Sequence, residues 1–248
     1  MTAATATAAL TRAEMRQIYR SPASILFSVG LPLLAIVILA LIPAARVERA
    51  AFGGLSVIEA FTAPIVMFSV TMTGVMVMPQ TLGTHRESGF LRRLRTTPIA
   101  PSHLLVATIA VHAVLAVVVA SVIVLVTIAA GGRAPLHPLL LAAVILLMSA
   151  VFLAVGAVLC ALIPTVKVLA GVGNLVALLM LFCAGLWIPR AVMPDWARTL
   201  TDLTPGGASA ELLNTALAGG HGGWADVLVC LVWTGVSVVV AMRVFRWD

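Results

Sequence analysis

Residues Leu104 to Ala130 read L-L-V-A-T-I-A-V-H-A-V-L-A-V-V-V-A-S-V-I-V-L-V-T-I-A-A, a run without Asp, Glu, Lys or Arg. A helix needs ~20 such residues to cross ~30 Å of hydrocarbon. The run has no period-2 alternation and is too long for a barrel strand, which leaves a helix as the form that satisfies its own backbone in lipid. Five more runs of this kind bring the expected spans to six: 24–42, 58–82, 104–130, 136–163, 166–188 and 224–244. The fold class expected is therefore an all-α polytopic membrane protein forming one transmembrane domain over residues 1–248.

Composition agrees. The 248 residues are 62% apolar and 10% charged, against roughly 25% charged in soluble domains. So few charges cannot cover so apolar a core in water. The net charge of +6 does not point to nucleic acid, because no basic face is large enough to follow a phosphate backbone. Cys160, Cys183 and Cys230 lie in or beside apolar runs, with spacing that suits neither disulfides nor zinc. No metal site is expected. The first apolar run exceeds a signal-peptide core, so it is expected to remain a span.

Orientation follows from the distribution of Lys and Arg. With the N-terminus in the cytoplasm, Arg12, Arg16, Arg20, Arg86, Arg92, Arg93, Arg95, Lys167, Arg243 and Arg246 lie inside with Glu14, Glu87 and Asp248. Arg46, Arg49, Arg133, Arg190 and Arg198 lie outside with Glu48, Glu59, Asp195, Asp202, Glu211 and Asp226. The C-terminus then also lies in the cytoplasm, and the inner face is the positive one, suited to anionic lipid.

Two stretches outside the spans have structure of their own. Residues 7–20 read as an interfacial helix, with Arg12, Arg16 and Arg20 on one stripe and Leu10, Met15, Ile18 and Tyr19 largely off it; Glu14 and Gln17 interrupt the pattern. Residues 189–223 read as an outer helical hairpin broken at Pro205-Gly206-Gly207, with Trp187, Trp196 and Trp224 at interface depth.

The segment from Thr84 to Pro98, T-H-R-E-S-G-F-L-R-R-L-R-T-T-P, joins the second and third spans on the cytoplasmic side. Thr84 and Glu87 have capping-box spacing, predicting a helix that starts there. Phe90, Leu91 and Leu94 share a face, Arg92, Arg93 and Arg95 project elsewhere, and Pro98 and Pro101 end the helix. Arginines that merely fix topology would need none of these additional features. A short amphipathic rod over 85–97 suits a lever that transmits force.

This segment resembles the E-R-E-x-G-T-L-x-R-L-x-x-T-P signature of the type-2 permeases of ATP-binding-cassette transporters, a family that includes daunorubicin-resistance permeases. His85 replaces the first acid and Phe90 the threonine. A second family pattern, F-x-x-G…P…M-P-x-W…P, is matched by Phe182, Gly185, Pro189, Met193, Pro194, Trp196 and Pro205. The resemblance covers nearly the whole chain. It implies a multi-pass protein of the bacterial inner membrane that dimerises with a second copy or a paralogue. It also implies docking of a cytoplasmic ATPase dimer carrying ATP and Mg, through a coupling helix comprising Arg86, Glu87, Phe90, Leu91, Arg92, Arg93, Leu94 and Arg95. Pro189, Met193, Pro194, Trp196 and Pro205 would belong to an outer gate, and export is the direction implied.

Absences weigh on the alternatives. A phosphate-binding loop requires Gly-x-x-x-x-Gly-Lys-Ser/Thr, and the single lysine, Lys167, lies between Val166 and Val168. No catalytic residue or cofactor is expected in this chain. An ion-coupled secondary transporter would carry ionisable relays at mid-membrane, where His112 is the one candidate, more readily read as an interhelical hydrogen bonder. A non-transporting scaffold would leave the lever signature unexplained. For the substrate, Met67, Phe68, Thr71, Met72 and Met76 on the second span suggest an adaptable apolar surface, although helix packing alone would also account for them. A hydrophobic drug, antibiotic or lipid remains open; the low aromatic content speaks weakly against a polysaccharide.

Overall fold

The computed structural model describes residues 11–12, 14–16, 22–52, 54–89, 101–188, 193–220 and 223–244. Among them every regular element is helical, apart from a single bridge between Glu48 and Ser56. The helix α1 runs through Pro22–Ile25, a π-turn Leu26–Gly30 and Leu31–Leu41. The next, α2, comprises Val57–Thr71, a π-turn Met72–Val77 and Met78–Glu87. Then follow α3 (Pro101–Ala129), α4 (Pro138–Leu162), α5 (Val166–Cys183), α6 (Asp195–Asp202), α7 (Pro205–Leu217) and α8 (Trp224–Val244). Five of these, α2, α3, α4, α5 and α8, are long and apolar enough to cross a bilayer; the apolar part of α1, Leu26–Leu41, is shorter.

The polarity is inverted relative to a protein in water. Leu228, Leu231, Val232 and Val236 of α8 and Leu175, Leu178 and Leu179 of α5 are exposed, as expected where lipid is the solvent. The post at the centre is α2. Its Val66, Met67 and Val70 are buried with Phe152 and Met148 of α4 and Ala120 and Ile123 of α3.

Small residues permit this packing. A Cβ on Gly156 would lie 2.0 Å from the Gly74 carbonyl oxygen and 2.9 Å from Pro79. One on Gly74 would lie 2.8 Å from Phe152. Gly173 is a third close contact, its Cβ meeting the Val75 carbonyl at 3.2 Å. Gly171 faces open space. The two π-turns have no sequence signature. They meet near Ser69, whose hydroxyl donates to the Ser28 carbonyl at 2.8 Å.

Four expectations need correction. The second span does not end at Leu82 with a fresh helix starting at Thr84; α2 continues to Glu87. Thr84 caps nothing, and its hydroxyl donates back to the Gln80 carbonyl at 2.8 Å. Nothing in Leu82–Glu87 breaks a helix, so backbone bonding propagates until Ser88 and Gly89, the latter at φ +67°. The fifth helix stops at Cys183 rather than 188, turning at Gly185 with φ +86°. In the hairpin, Pro205-Gly206-Gly207 is not the break but the first turn of α7. Thr204 is its N-cap, accepting from the Gly207 amide at 3.1 Å. Proline suits the first helical position, and a Cβ on Gly206 would sit 2.3 Å from the Met180 carbonyl oxygen. Helix α7 is accordingly buried along much of its length, against α4, α8, α5 and α2.

Candidate coupling junction

Three consecutive residues at the end of α2 hold three other elements. The first, His85, is buried, and its Nε2 lies 2.7 Å from Oε1 of Glu14, which is 1% exposed. The N-terminal helical residues are thereby fastened to α2 by a buried polar pair. The interfacial-helix reading placed Met15 among the apolar residues and treated Glu14 as an interruption. The structure reverses their roles: Met15 is 49% exposed and Glu14 turns inward. Apolar periodicity marks the inward face of a helix only where burial is apolar, and a hydrogen-bonded partner 71 positions away leaves no local pattern.

The second residue, Arg86, reaches the turn between α4 and α5. Its Nη1 donates to the Cys160 carbonyl at 2.9 Å, and its Nη2 donates to the Ile163 carbonyl. The sequence creates this need. In α4 the Cys160 carbonyl would accept from the amide four residues on, but that residue is Pro164, which has no N–H. A cation there also complements the negative end of the α4 dipole.

The third, Glu87, does the converse. Its Oε1 accepts from the Val166 amide at 2.6 Å. Val166 opens α5, so its amide is one of the unpaired donors of a helix start, and a carboxylate suits that positive end. An Arg-Glu dipeptide thus satisfies a helix end and a helix start on either side of one proline turn. Beyond it, Gly89 redirects the chain into residues 90–100.

The junction gathers only part of the sequence-derived lever. Arg86 and Glu87 are bonded within the chain, a role the coupling reading did not give them. Phe90, Leu91, Arg92, Arg93, Leu94 and Arg95 lie outside the described residues. His112 is buried on α3, where its Nδ1 is 2.8 Å from the Thr108 carbonyl. That bond is within its own helix rather than between helices, and its Nε2 has no partner among the described residues.

The other candidates are dispersed. Met67 and Met72 are buried in the hydrophobic core, with Phe68 and Met76 packed against it, and Thr71 is buried beside them, so this stretch of α2 packs against neighbouring helices more than it faces an open passage. Of the gate candidates, Met193 and Pro205 are buried, Pro194 is exposed and Trp196 is 70% exposed, while Pro189 lies outside the described residues.

At the opposite end of the spans, Glu59 organises the loops. Its Oε2 accepts from the Ser56 amide and hydroxyl at 2.8 and 2.7 Å, and its Oε1 accepts from the Arg133 amide at 2.8 Å. Ser56 and Glu59 form the capping box that starts α2. Arg133 in turn donates to Glu48 at 2.8 Å. That hydrogen bond, then the charges of Glu48 and Glu59, hold the Arg133 guanidinium even further above its ordinary pKa.

A family model described as ABC-2 type transporter matches residues 5–216. The chain belongs to the ABC-2 type transporter family. The match spans the N-terminal helix, the junction and α1 through most of α7. No curated protein matches the chain. As an ABC-2 permease it is an integral membrane protein and a membrane transport component rather than a catalytic one; the match does not extend to the daunorubicin-resistance subtype.

Proposed function

We propose that this ABC-2 chain is the permease subunit of a two-component exporter driven by ATP bound and hydrolysed, with Mg, in a separate cytoplasmic ATPase dimer. A second copy or a paralogue completes the permease in the bacterial inner membrane, with six spans and both termini in the cytoplasm. The cargo class is a hydrophobic drug, antibiotic or lipid. The observation that carries this reading is the junction. The segment 90–100 leaves directly from a clasp that grips the N-terminal helix, the end of α4 and the start of α5. Force applied to that segment passes at once to four elements, the requirement for a lever that switches a bundle between two arrangements.

In this reading Arg92, Arg93 and Arg95 steer docking by charge, Phe90, Leu91 and Leu94 pack into the ATPase, and Arg86 and Glu87 fix the lever to the bundle. Substituting both Phe90 and Leu94 with Ser is expected to abolish transport while ATP hydrolysis and membrane insertion persist, measured in vesicles reconstituted with the partner ATPase. Transport and hydrolysis that both survive at wild-type rates refute the coupling role.

A further inference from the structure

Beside the junction, two buried atoms are left unsatisfied. Among the described residues, Glu14 Oε2 and His112 Nε2 are enclosed and have no hydrogen-bond partner. Buried polar atoms are nearly always paired, so each orphan requires a reason. The two share a neighbourhood. His85 ties Glu14 to the end of α2 through the other carboxylate oxygen, Oε1. That end of α2 packs on α3, with Met78 and Leu82 against Leu105, Ile109 and Ala113. On α3, Leu104, Thr108 and His112 form a buried stripe at i, i+4 and i+8. The charges of Glu14 and His85 both act on the His112 ring.

Their hydrogen-bonding chemistry specifies what is missing. A carbonyl only accepts, so His112 Nδ1, 2.8 Å from the Thr108 carbonyl, carries the ring hydrogen. In the neutral ring Nε2 is then a bare acceptor. An ionised carboxylate is acceptor-only as well. Two acceptors cannot satisfy each other. One added proton serves both, because it turns Nε2 into a donor and sets an imidazolium beside a carboxylate. Imidazole is ordinarily the more basic of the two groups, so the proton belongs on Nε2.

The surrounding elements offer little competition. Helix α1, which also packs on α3, has no titratable residue between Pro22 and Leu41. Arg12, Arg16 and Lys167 are exposed. Arg86 and Glu87 are held at the α4–α5 turn. His103 is nine residues from His112 along α3, about 14 Å. Helix α4 contributes the Cys160 thiol, buried with Met78 and Leu82.

We propose that Glu14 and His112 form a binding site for one proton, which joins the N-terminal helical residues to α3 as His85 joins them to α2. Acidification fills the site and tightens the grip on those residues; emptying it leaves them held by His85 alone. The site needs neither ATP nor cargo, so it stands apart from the exporter reading.

The test uses the full chain in nanodiscs with 15N-labelled histidine. Solid-state NMR separates bare from protonated ring nitrogens, and the His112 signal is the one lost in His112→Gln. His112 Nε2 is expected to pass from bare to protonated between about pH 8 and pH 5. Its proton affinity should fall at least tenfold in Glu14→Gln, which keeps an acceptor for His85 but no charge. The grip is read by hydrogen exchange on peptides covering residues 11–16. His112→Gln supplies a permanent donor in place of the proton, so its ratio to wild type at each pH cancels the intrinsic pH dependence of exchange. Wild type should exchange about three- to tenfold faster than His112→Gln near pH 8 and equally near pH 5. Should His112→Gln not fold, the NMR comparison with Glu14→Gln stands by itself, His112 then being assigned through His112→Asn. A His112 ring that stays bare to pH 5, or that binds its proton equally well in wild type and Glu14→Gln, overturns the site. An exchange ratio that does not vary with pH overturns its link to the N-terminal residues.

Discussion

Replacing Arg86 with Ala strips donors from two carbonyls at once. The Cys160 carbonyl cannot recover a helical partner, because position 164 is proline, and the Ile163 carbonyl lies just past the helix. Hydrogen bonds to a charged group contribute about 1.5–3 kcal/mol each, and a cation at a helix C-terminus adds about 0.3–1 kcal/mol. Arg86 is partly exposed, so water can reach the vacated carbonyls and return some of this. The net loss is about 2–4 kcal/mol, localised at the α4–α5 turn. Hydrogen exchange followed by mass spectrometry on peptides covering residues 159–167 reads it directly. At 1.4 kcal/mol per factor of ten, amides there should exchange roughly thirty-fold to several hundred-fold faster. Peptides from α8, which neither Arg86 hydrogen bond reaches, serve as the control. Lysine at position 86 can reach one carbonyl but lacks the fork that spans two, so it should recover about half the protection in free-energy terms. Protection within a factor of about two of wild type in Arg86→Ala would show that water satisfies the turn, and the residue would then be free for an external partner.

The Glu14–His85 pair gives a second outcome. Removing one member of a buried hydrogen-bonded pair leaves the other unsatisfied at a cost of about 1–3 kcal/mol, so Glu14→Ala or His85→Ala should loosen the N-terminal helical residues and speed tryptic cleavage at Arg12 and Arg16 by roughly ten-fold or more. The exchange Glu14→His with His85→Glu should restore resistance; cleavage as fast in the exchanged protein as in the single variants refutes a pairwise latch. Glycine packing supplies a third. Gly156→Ala drives a methyl into the Gly74 carbonyl and should lower stability by about 1–3 kcal/mol, whereas Gly171→Ala, in open space, should raise it by up to about 1 kcal/mol. Paired thermal melts in one detergent decide this, and a Gly156→Ala melting point at or above wild type sinks the close-contact argument.

His85 illustrates how the site was only partly legible. The resemblance marks its position as one where family members carry an acid, and the departure is visible in the sequence. Its reason is not. Opposite the buried Glu14, an acid would set two carboxylates against each other, and a histidine makes a pair instead. Arg86 and Glu87 were legible as members of the coupling segment but not in the bonds they make, because the orphan groups they satisfy belong to a turn more than seventy residues away.

Hydrophobic length alone determined that this chain lives in lipid as a set of helices, because each backbone must satisfy itself within hydrocarbon wherever its neighbours lie. The Lys and Arg distribution supplied an expected orientation in the same local way. Where α2 ends, which carboxylate turns inward and what caps the proline turn all depend on distances between residues remote in the chain. Those were decided by the tertiary structure, since the fit of one helix against another, down to the absence of a methyl group on Gly156, is a property of pairs of surfaces and has no periodicity along a single strand of sequence.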